Sequence, residues 1–328
     1  MRPPGWFGLG LLALLSATAA RADESEPVKV RFGILTTGSQ AAFVVGVDQG
    51  IFRKHGFDVD VMPIASGAQA NQVLAANQVD WSGGGIESTV VAWATGLPFK
   101  AYAMYAKGGD SYGILVRNDA GIHSPADLNG KKVAVPLGTA PAQGLSQVLK
   151  HAGLPPDAAK RVNASFGNMG PMLIQGSVDA MVGLEPFLTL TEEAMAGKAT
   201  LLMRLGKEVQ GGGLFLITDS WAKAHPDKVQ EAVVAVAEAQ QWLRQHQAQA
   251  ATIEAAFLKV EPRYVEAAFK TLQYRPEVDD FTRASLRNTS EFLAAEGLIP
   301  QAPDPAQHLN ELDAALAALK AKSPGLLE

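Results

Sequence analysis

Three stretches of the chain could hold an anion without any charged side chain: Thr36-Thr37-Gly38-Ser39, Ala65-Ser66-Gly67 and Ser82-Gly83-Gly84-Gly85. Each ends a short apolar run, at 30–35, 59–63 and the approach to 80–82, and each opens a helical pattern. A helix start leaves its first backbone N–H groups without partners inside the helix and carries the positive end of the dipole. Several such starts facing one crevice suit a small, anionic molecule. In an open parallel sheet the breaks gather at the carboxyl ends of the strands, where ligands bind. The chemistry is that of capture rather than catalysis. There is no cysteine nucleophile or ligand and no H-E-x-x-H zinc motif. Gly130-Lys131-Lys132 precedes a strand instead of following one, so it is not a phosphate loop. The six histidines, at 55, 123, 151, 225, 246 and 308, are scattered. No catalytic residue, metal site or cofactor is expected.

The elements that must position these stretches read as α/β throughout the first two thirds of the chain. Further strands are predicted at 99–105, 112–117, 132–136, 161–166 and 180–184, with helices at about 141–151 and 172–176. Ser124 caps a short helix, Asn129-Gly130 turns, and Gly138-Thr139-Ala140 breaks the strand that follows. This second β-α-β series suggests a second lobe. Gly211-Gly212-Gly213 before the apolar run at 214–219 reads as a return strand to the first lobe, with 112–117 as the outgoing one. Two extended crossovers beside glycines are what a hinge needs. From His225 the pattern becomes helical: Val229, Val233, Val236, Gln240 and Leu243 share one face. Helices are predicted at 247–258, 262–272, 279–295 and 305–319, and the tail 320–328 is expected to fray.

Arg2, the apolar run 6–20 and Ala20-Arg21-Ala22 make a secretory signal peptide, with cleavage expected after Ala22. The run is shorter than the roughly 20 residues a spanning helix needs. With no cysteine there is no lipid attachment and no disulfide, so a periplasmic protein that is not a lipoprotein is expected. Removing Arg2 and Arg21 from 28 basic residues leaves 26 against 33 acidic ones, a formal charge of −7. That balance argues against nucleic acid or an anionic membrane as partner.

The segments D-Q-G-I-F-R-K-H-G-F-D-V-D (48–60), Q-V-D-W (78–81), A-T-G-L-P-F-K (94–100), S-P-A-D-L-N-G-K-K-V-A-V (124–135), I-Q-G-S-V-D-A (174–180) and E-P-F (185–187) together carry a resemblance. Their order and spacing resemble the periplasmic solute-binding proteins of ABC importers, in the branch that includes aliphatic-sulfonate, taurine, nitrate and thiamine-pyrimidine-precursor binders. The resemblance spans nearly all of the chain after its first 22 residues. It implies an α/β, type II-like fold of two lobes with hinge crossovers and a helical C-terminal extension. Lobe one would be 28–112 with 215–328, and lobe two 113–214. The partners implied are a small-molecule solute and an inner-membrane permease, with the chain itself a monomer. The pocket implied in lobe one is Thr36, Thr37, Ser39, Gln40, Ala41, Ser66, Gly67, Gly84 and Gly85. In lobe two it is Gly138, Thr139, Ala140 and Glu185.

The remaining candidates divide between site and scaffold. Each hydroxyl could equally be a helix cap, although a cap and a ligand donor occupy the same mouth. Tyr105 and Phe187 are the aromatics favoured for an apolar wall; Trp81, Tyr112 and Met169 suit a core as well. Glu87 complicates a purely anionic ligand, but it stands in a first helical turn, where dipole complementarity alone would explain an acid. Glu185 suits an ammonium or a ring nitrogen on the ligand, or an interlobe bond. Lys107 could meet a sulfonate but suits a solvated loop better. A sulfonate leads among ligands, ahead of a thiamine-related pyrimidine and an aromatic carboxylate. An enzyme or a sensor subunit on the same scaffold are the rival classes.

Overall fold

A computed structural model of the protein describes residues 26–209 and 211–328. The expected signal peptide and its cleavage after Ala22 lie outside the described residues. The strands are β1 (Val28–Leu35), β2 (Phe57–Ile64), β3 (Trp81–Gly85), β4 (Phe99–Lys107), β5 (Tyr112–Arg117), β6 (Lys132–Val135), β7 (Lys160–Asn163), β8 (Ala180–Leu184), β9 (Ala199–Arg204) and β10 (Gly212–Thr218). They form two five-stranded sheets, ordered β2-β1-β3-β10-β4 and β7-β6-β8-β5-β9. In each sheet three parallel strands are followed by one antiparallel strand, β10 in the first and β5 in the second. These are the two strands that arrive from the other sheet. The parallel strands carry helices between them, as parallel pairing requires, and bring their carboxyl ends to one side.

The first sheet encloses an aromatic cluster. Trp81, fully buried, meets Phe57, Phe215 and Trp221 edge-on with ring centroids 4.8–5.4 Å apart. Each such ring stabilises the core by about 1.5–3 kcal/mol through burial. Trp81 is therefore scaffold and does not reach the site. The C-terminal helices lie over this sheet. Pro226–Gln245 buries Val233, Val236 and Leu243 on one face, and its Gln240 donates to the carbonyls of Met104 and Tyr105 at 2.9 and 2.8 Å. Those carbonyls belong to a stretch where the β4–β10 register shifts, and such a bulge turns a side chain out of the alternation.

The connections between sheets, 108–111 and the segment that ends at Gly211, run side by side. Gly108 N–H donates to the Gly211 carbonyl at 3.3 Å. A Cβ on Gly109 would stand 2.2 Å from the Val209 carbonyl oxygen, so only glycine permits the contact. Residues 212–214, expected with the second lobe, pair with β3 and β4 in the first sheet instead.

Four further expectations are corrected. The strand at 161–166 ends at Asn163, and a helix runs from Phe166 to Ile174 with Pro171 inside it. Burial of Met169 and Leu173 on one face holds that helix across the bond proline cannot make. The supposed break at 83–85 is part of β3. The helix at 305–319 divides into Pro305–His308 and Asn310–Lys322. The tail is tied down: Gln241 donates to Gly325 O at 2.8 Å, Arg244 to Leu326 O at 3.3 Å and Arg275 to Leu327 O.

Candidate binding site between the two sheets

Where the strands of both sheets end, five strands of the first sheet and four of the second lead into the wall of a cavity of about 40 Å³. The first sheet contributes Leu35, Thr37 and Ser39 after β1, Gly67 after β2, Gly85, Glu87 and Ser88 after β3, Tyr105 from β4 and Gly212 from β10. The second contributes Tyr112 from β5, Thr139 to Pro141 after β6, Phe166 after β7 and Leu184 from β8. Helices beginning at Gly67, Ile86, Ala140 and Phe166 therefore all start at this cavity. Wider hollows exist, one of about 540 Å³ between helices beside Lys150 and Glu296 and two beside Arg117 and Thr200 on the second sheet, but none of these is walled by strand ends of both sheets.

The hydroxyls are partly committed. Ser88 donates to Gly85 O at 3.0 Å and Thr139 donates to Pro136 O at 2.5 Å. Thr37 and Ser39 share one hydrogen bond of 3.0 Å and Ser39 also bonds the Tyr105 phenol, which leaves one of the three hydroxyl protons for a ligand. Tyr105 and Tyr112 are buried, and burial is the main influence raising the pKa of both phenols, that of Tyr105 to about 12. They stay neutral donors across the physiological range.

Among the described residues Glu87 is the one carboxylate on the wall, 4% exposed. Burial pushes its carboxyl up to about 7, opposed by the backbone N–H groups of Glu87 itself and of Ala140. Ala140 belongs to the other sheet's helix, so this acid faces across the cleft. Among the described residues no cation pairs with it.

The expected residues separate cleanly. Thr37, Ser39, Gly67, Gly85, Tyr105, Thr139 and Ala140 come together on the cavity wall. Thr36 lies at the strand end with its hydroxyl 3.4 Å from Ile64 O, and Ser66 caps its helix by accepting from Gln69 N at 3.2 Å. Gln40 accepts from Leu35 N at 2.8 Å and packs over Gly83, while Ala41 lies in the core. Gly84 is enclosed by Thr89 and Leu216, and Gly138 makes a left-handed turn at φ +68° just before the wall. Phe187 stacks on the outside of Phe166, with ring centroids 6.5 Å apart. Glu185 is 1% exposed, and its carboxylate accepts from Arg204 at 2.6 Å and from Thr189 N at 3.1 Å. Lys107 pairs with Asp279 at 2.5 Å and does not reach the wall. Sequence reasoning favours a dipole account of Glu87 over a ligand contact and misses Leu35, Ser88, Pro141, Phe166, Leu184 and Gly212. Phe166 has a usable signal, because it follows β7 just as the other wall residues follow their strands.

Because Glu185 is engaged by Arg204, changing Arg204 to methionine is expected to act on stability. It leaves a buried carboxylate with a single N–H donor. The loss should be about 2 kcal/mol, below the 3–5 typical of a fully buried pair because Arg204 is partly exposed. Denaturant unfolding would read it; an unchanged midpoint would show that the pair contributes nothing.

One G-x-S-x-G spacing, Gly109-Asp110-Ser111-Tyr112-Gly113, falls at the outgoing crossover. Its serine donates to Gly108 O at 2.7 Å and leads into strand β5, not a helix, so it is not a nucleophile elbow.

Two mixed sheets joined by paired crossovers, with a cavity walled from both, make this the fold of the periplasmic binding proteins. The chain belongs to the NMT1/THI5-like family, whose model matches residues 38–250. It is 27% identical over 288 residues to a putative aliphatic sulfonates-binding protein of Bacillus subtilis, covering 86% of each. It is 26% identical to the taurine-binding periplasmic protein of Escherichia coli, covering 71% of this chain and 74% of that one. Among solved structures, the alkanesulfonate-binding protein of Xanthomonas axonopodis pv. citri bound to MOPS superposes with a TM-score of 0.76 at 21% identity, covering 87% and 98%. A desulfurization enzyme, DSZB, shares the fold with a TM-score of 0.65 at 18% identity, covering 89% and 99%.

Proposed function

We propose that the protein is the substrate-binding component of an ABC importer, which captures a small organic sulfonate in the cavity between its sheets and delivers it to a membrane permease. The observation that carries this reading is the wall itself. Four helix starts and a shared hydroxyl pair converge there, and such donors hold a sulfonate's oxygens without a formal counter-charge. The sulfonate- and taurine-binding names of the relatives support the same choice. Lobe one would be 28–111 with 212–328 and lobe two 112–211, with Tyr112 on the second sheet and 212–214 on the first, turning about the glycine-lined crossovers. Bonds across the cleft, from Thr289 to Gln143 at 3.0 Å and from Tyr264 to Glu193 at 2.9 Å, would form on closure and break on opening. The permease would recognise the closed form.

A binder fits the wall better than an enzyme, because its hydroxyls bond to carbonyls and to one another and not to a general base. Export to the periplasm and a monomeric state belong to the same proposal. No helix among the described residues is long and apolar enough to cross a membrane.

Thermal unfolding with short sulfonates, aminopyrimidines, aromatic carboxylates and nitrate tests the reading. A sulfonate should add about 2.7 kcal/mol of stability at a hundredfold excess over its dissociation constant. A response to another class alone, or turnover of a bound sulfonate, would overturn it.

A further inference from the structure

The wall pairs many neutral donors with one acid. Thr37, Ser39, Tyr105, Tyr112 and the helix starts all present hydrogen-bond donors, whereas Glu87 is the one acidic side chain on the wall among the described residues. Among the described residues no cation is there to offset it. Arg204 is held by Glu185, Lys107 by Asp279, and Arg31, in the middle of β1, by Asp80. A ligand that was only an anion would thus lie beside a carboxylate in a buried, poorly screened space. The cavity is also small, at about 40 Å³.

We propose that Glu87 selects a short zwitterion, an aminoalkanesulfonate, by receiving its ammonium group while the hydroxyl pair and helix starts hold its sulfonate. This rests on the sulfonate reading of the same site and deepens it. It also moves the ammonium contact from Glu185, where the sequence suggested it, to the acid that the fold leaves available.

The surroundings of Glu87 make its charge responsive to a ligand. The titratable groups facing it are Tyr105 on β4 and Tyr112 on β5. The helix Gly67–Ala75 and strands β3 and β10 carry none. On the helix 140–151 the basic residues Lys150 and His151 are in its last turn, remote from Ala140. The helix Asp280–Ala295 packs Leu286 and Leu293 into the apolar cluster that holds Ile86 and Val90; its Arg283 pairs with Asp313 and its Arg287 is exposed. Burial places the Glu87 carboxyl at about 7, so an arriving ammonium would find it mostly protonated at pH 6 and mostly ionised at pH 8.

The experiment is calorimetric titration with 2-aminoethanesulfonate and with ethane- and propane-1-sulfonate at pH 6 and pH 8. An alkylammonium stays protonated over that range. The aminosulfonate should bind about tenfold more tightly at pH 8 than at pH 6, because Glu87 must lose its proton. The alkanesulfonates should show the opposite slope. Glu87→Gln should weaken the aminosulfonate about 10- to 100-fold at pH 8 and remove both slopes. If that variant does not fold, Glu87→Asp keeps the carboxylate and should keep the preference for an amine. Equal affinity for aminosulfonate and alkanesulfonate at pH 8, or tighter aminosulfonate binding at pH 6, overturns the role of Glu87 and leaves the sulfonate reading standing. No binding of any sulfonate overturns both.

Discussion

Replacing Glu254 by methionine is expected to raise the unfolding free energy at pH 7.5 by about 2 kcal/mol, an unusual direction for a change in a core. Glu254 lies in the helix Gln247–Leu258 between Ala250, Ala251 and Ala255, all buried, and is itself 0% exposed. Among the described residues neither carboxylate oxygen has a hydrogen-bond partner, and burial alone raises its pKa well above the ordinary carboxylate value. Such a group costs stability in either protonation state, because even the neutral acid leaves polar atoms unsatisfied. Methionine has similar length, no strong donor or acceptor, and enough flexibility to fill the space. The pH dependence carries the sign. The pKa is raised in the folded state, so the unfolded chain loses the proton first as pH rises. The native protein is then relatively most stable below the unfolded value, near 4.5, and loses stability between that value and the raised folded one. The gap between variant and native protein should therefore widen from about pH 4.5 to pH 7.5. Urea unfolding at both values measures it. A gap of constant size would mean that Glu254 does not titrate as a buried acid.

Much of the frame is legible in the sequence because it follows from local pattern. The strands at 112–117 and 180–184 are apolar runs between turn residues, and the helix expected at 247–258 has those bounds in the structure. What escapes depends on neighbours distant in sequence. The glycines at 83–85 look like a loop, but at Gly83 and Gly84 the side chains of Gln40 and Thr89 occupy the space a Cβ would need. A Cβ would stand 2.3 Å from Gln40 at Gly83 and 2.5 Å from Thr89 at Gly84. Gly83 and Gly84 are glycines because a strand is crowded there. Glu185 and Glu87 exchange roles for a similar reason. Arg204, which neutralises Glu185, reaches it from β9 across the neighbouring strand β5. Dipole complementarity is a sufficient account of Glu87 until the fold places Ala140, 53 positions later, against it. The tail that composition marks as frayed is held by Gln241, Arg244 and Arg275, none of them recognisable as a tail clamp from sequence alone.

Gly212→Ala is expected to be the most damaging single methyl addition at the site, costing roughly 3 kcal/mol or more and lowering ligand affinity in whatever protein still folds. Gly212 has φ +95°, outside the comfortable range of an L-residue, and a Cβ there would lie 1.8 Å from the Ala106 carbonyl oxygen. The obstacle is backbone in the neighbouring strand β4, so no side-chain rotation relieves it. The strand would have to part from β4 at the point where it enters the first sheet. Binding should suffer with stability because Gly212 is also wall, and its backbone N–H faces the Tyr112 hydroxyl. Gly50→Ala separates the two contributions. Gly50 has φ +65° and no atom within 4 Å of the place an added methyl would take, so it should show only the left-handed backbone cost of about 1–2 kcal/mol. Gly50 is not part of the cavity wall, so ligand affinity should stay unchanged. Thermal unfolding and sulfonate titration of both variants would decide the matter. Equal losses of stability would show that strand β10 has room to shift, and with it that the return crossover is looser than its packing against β4 implies.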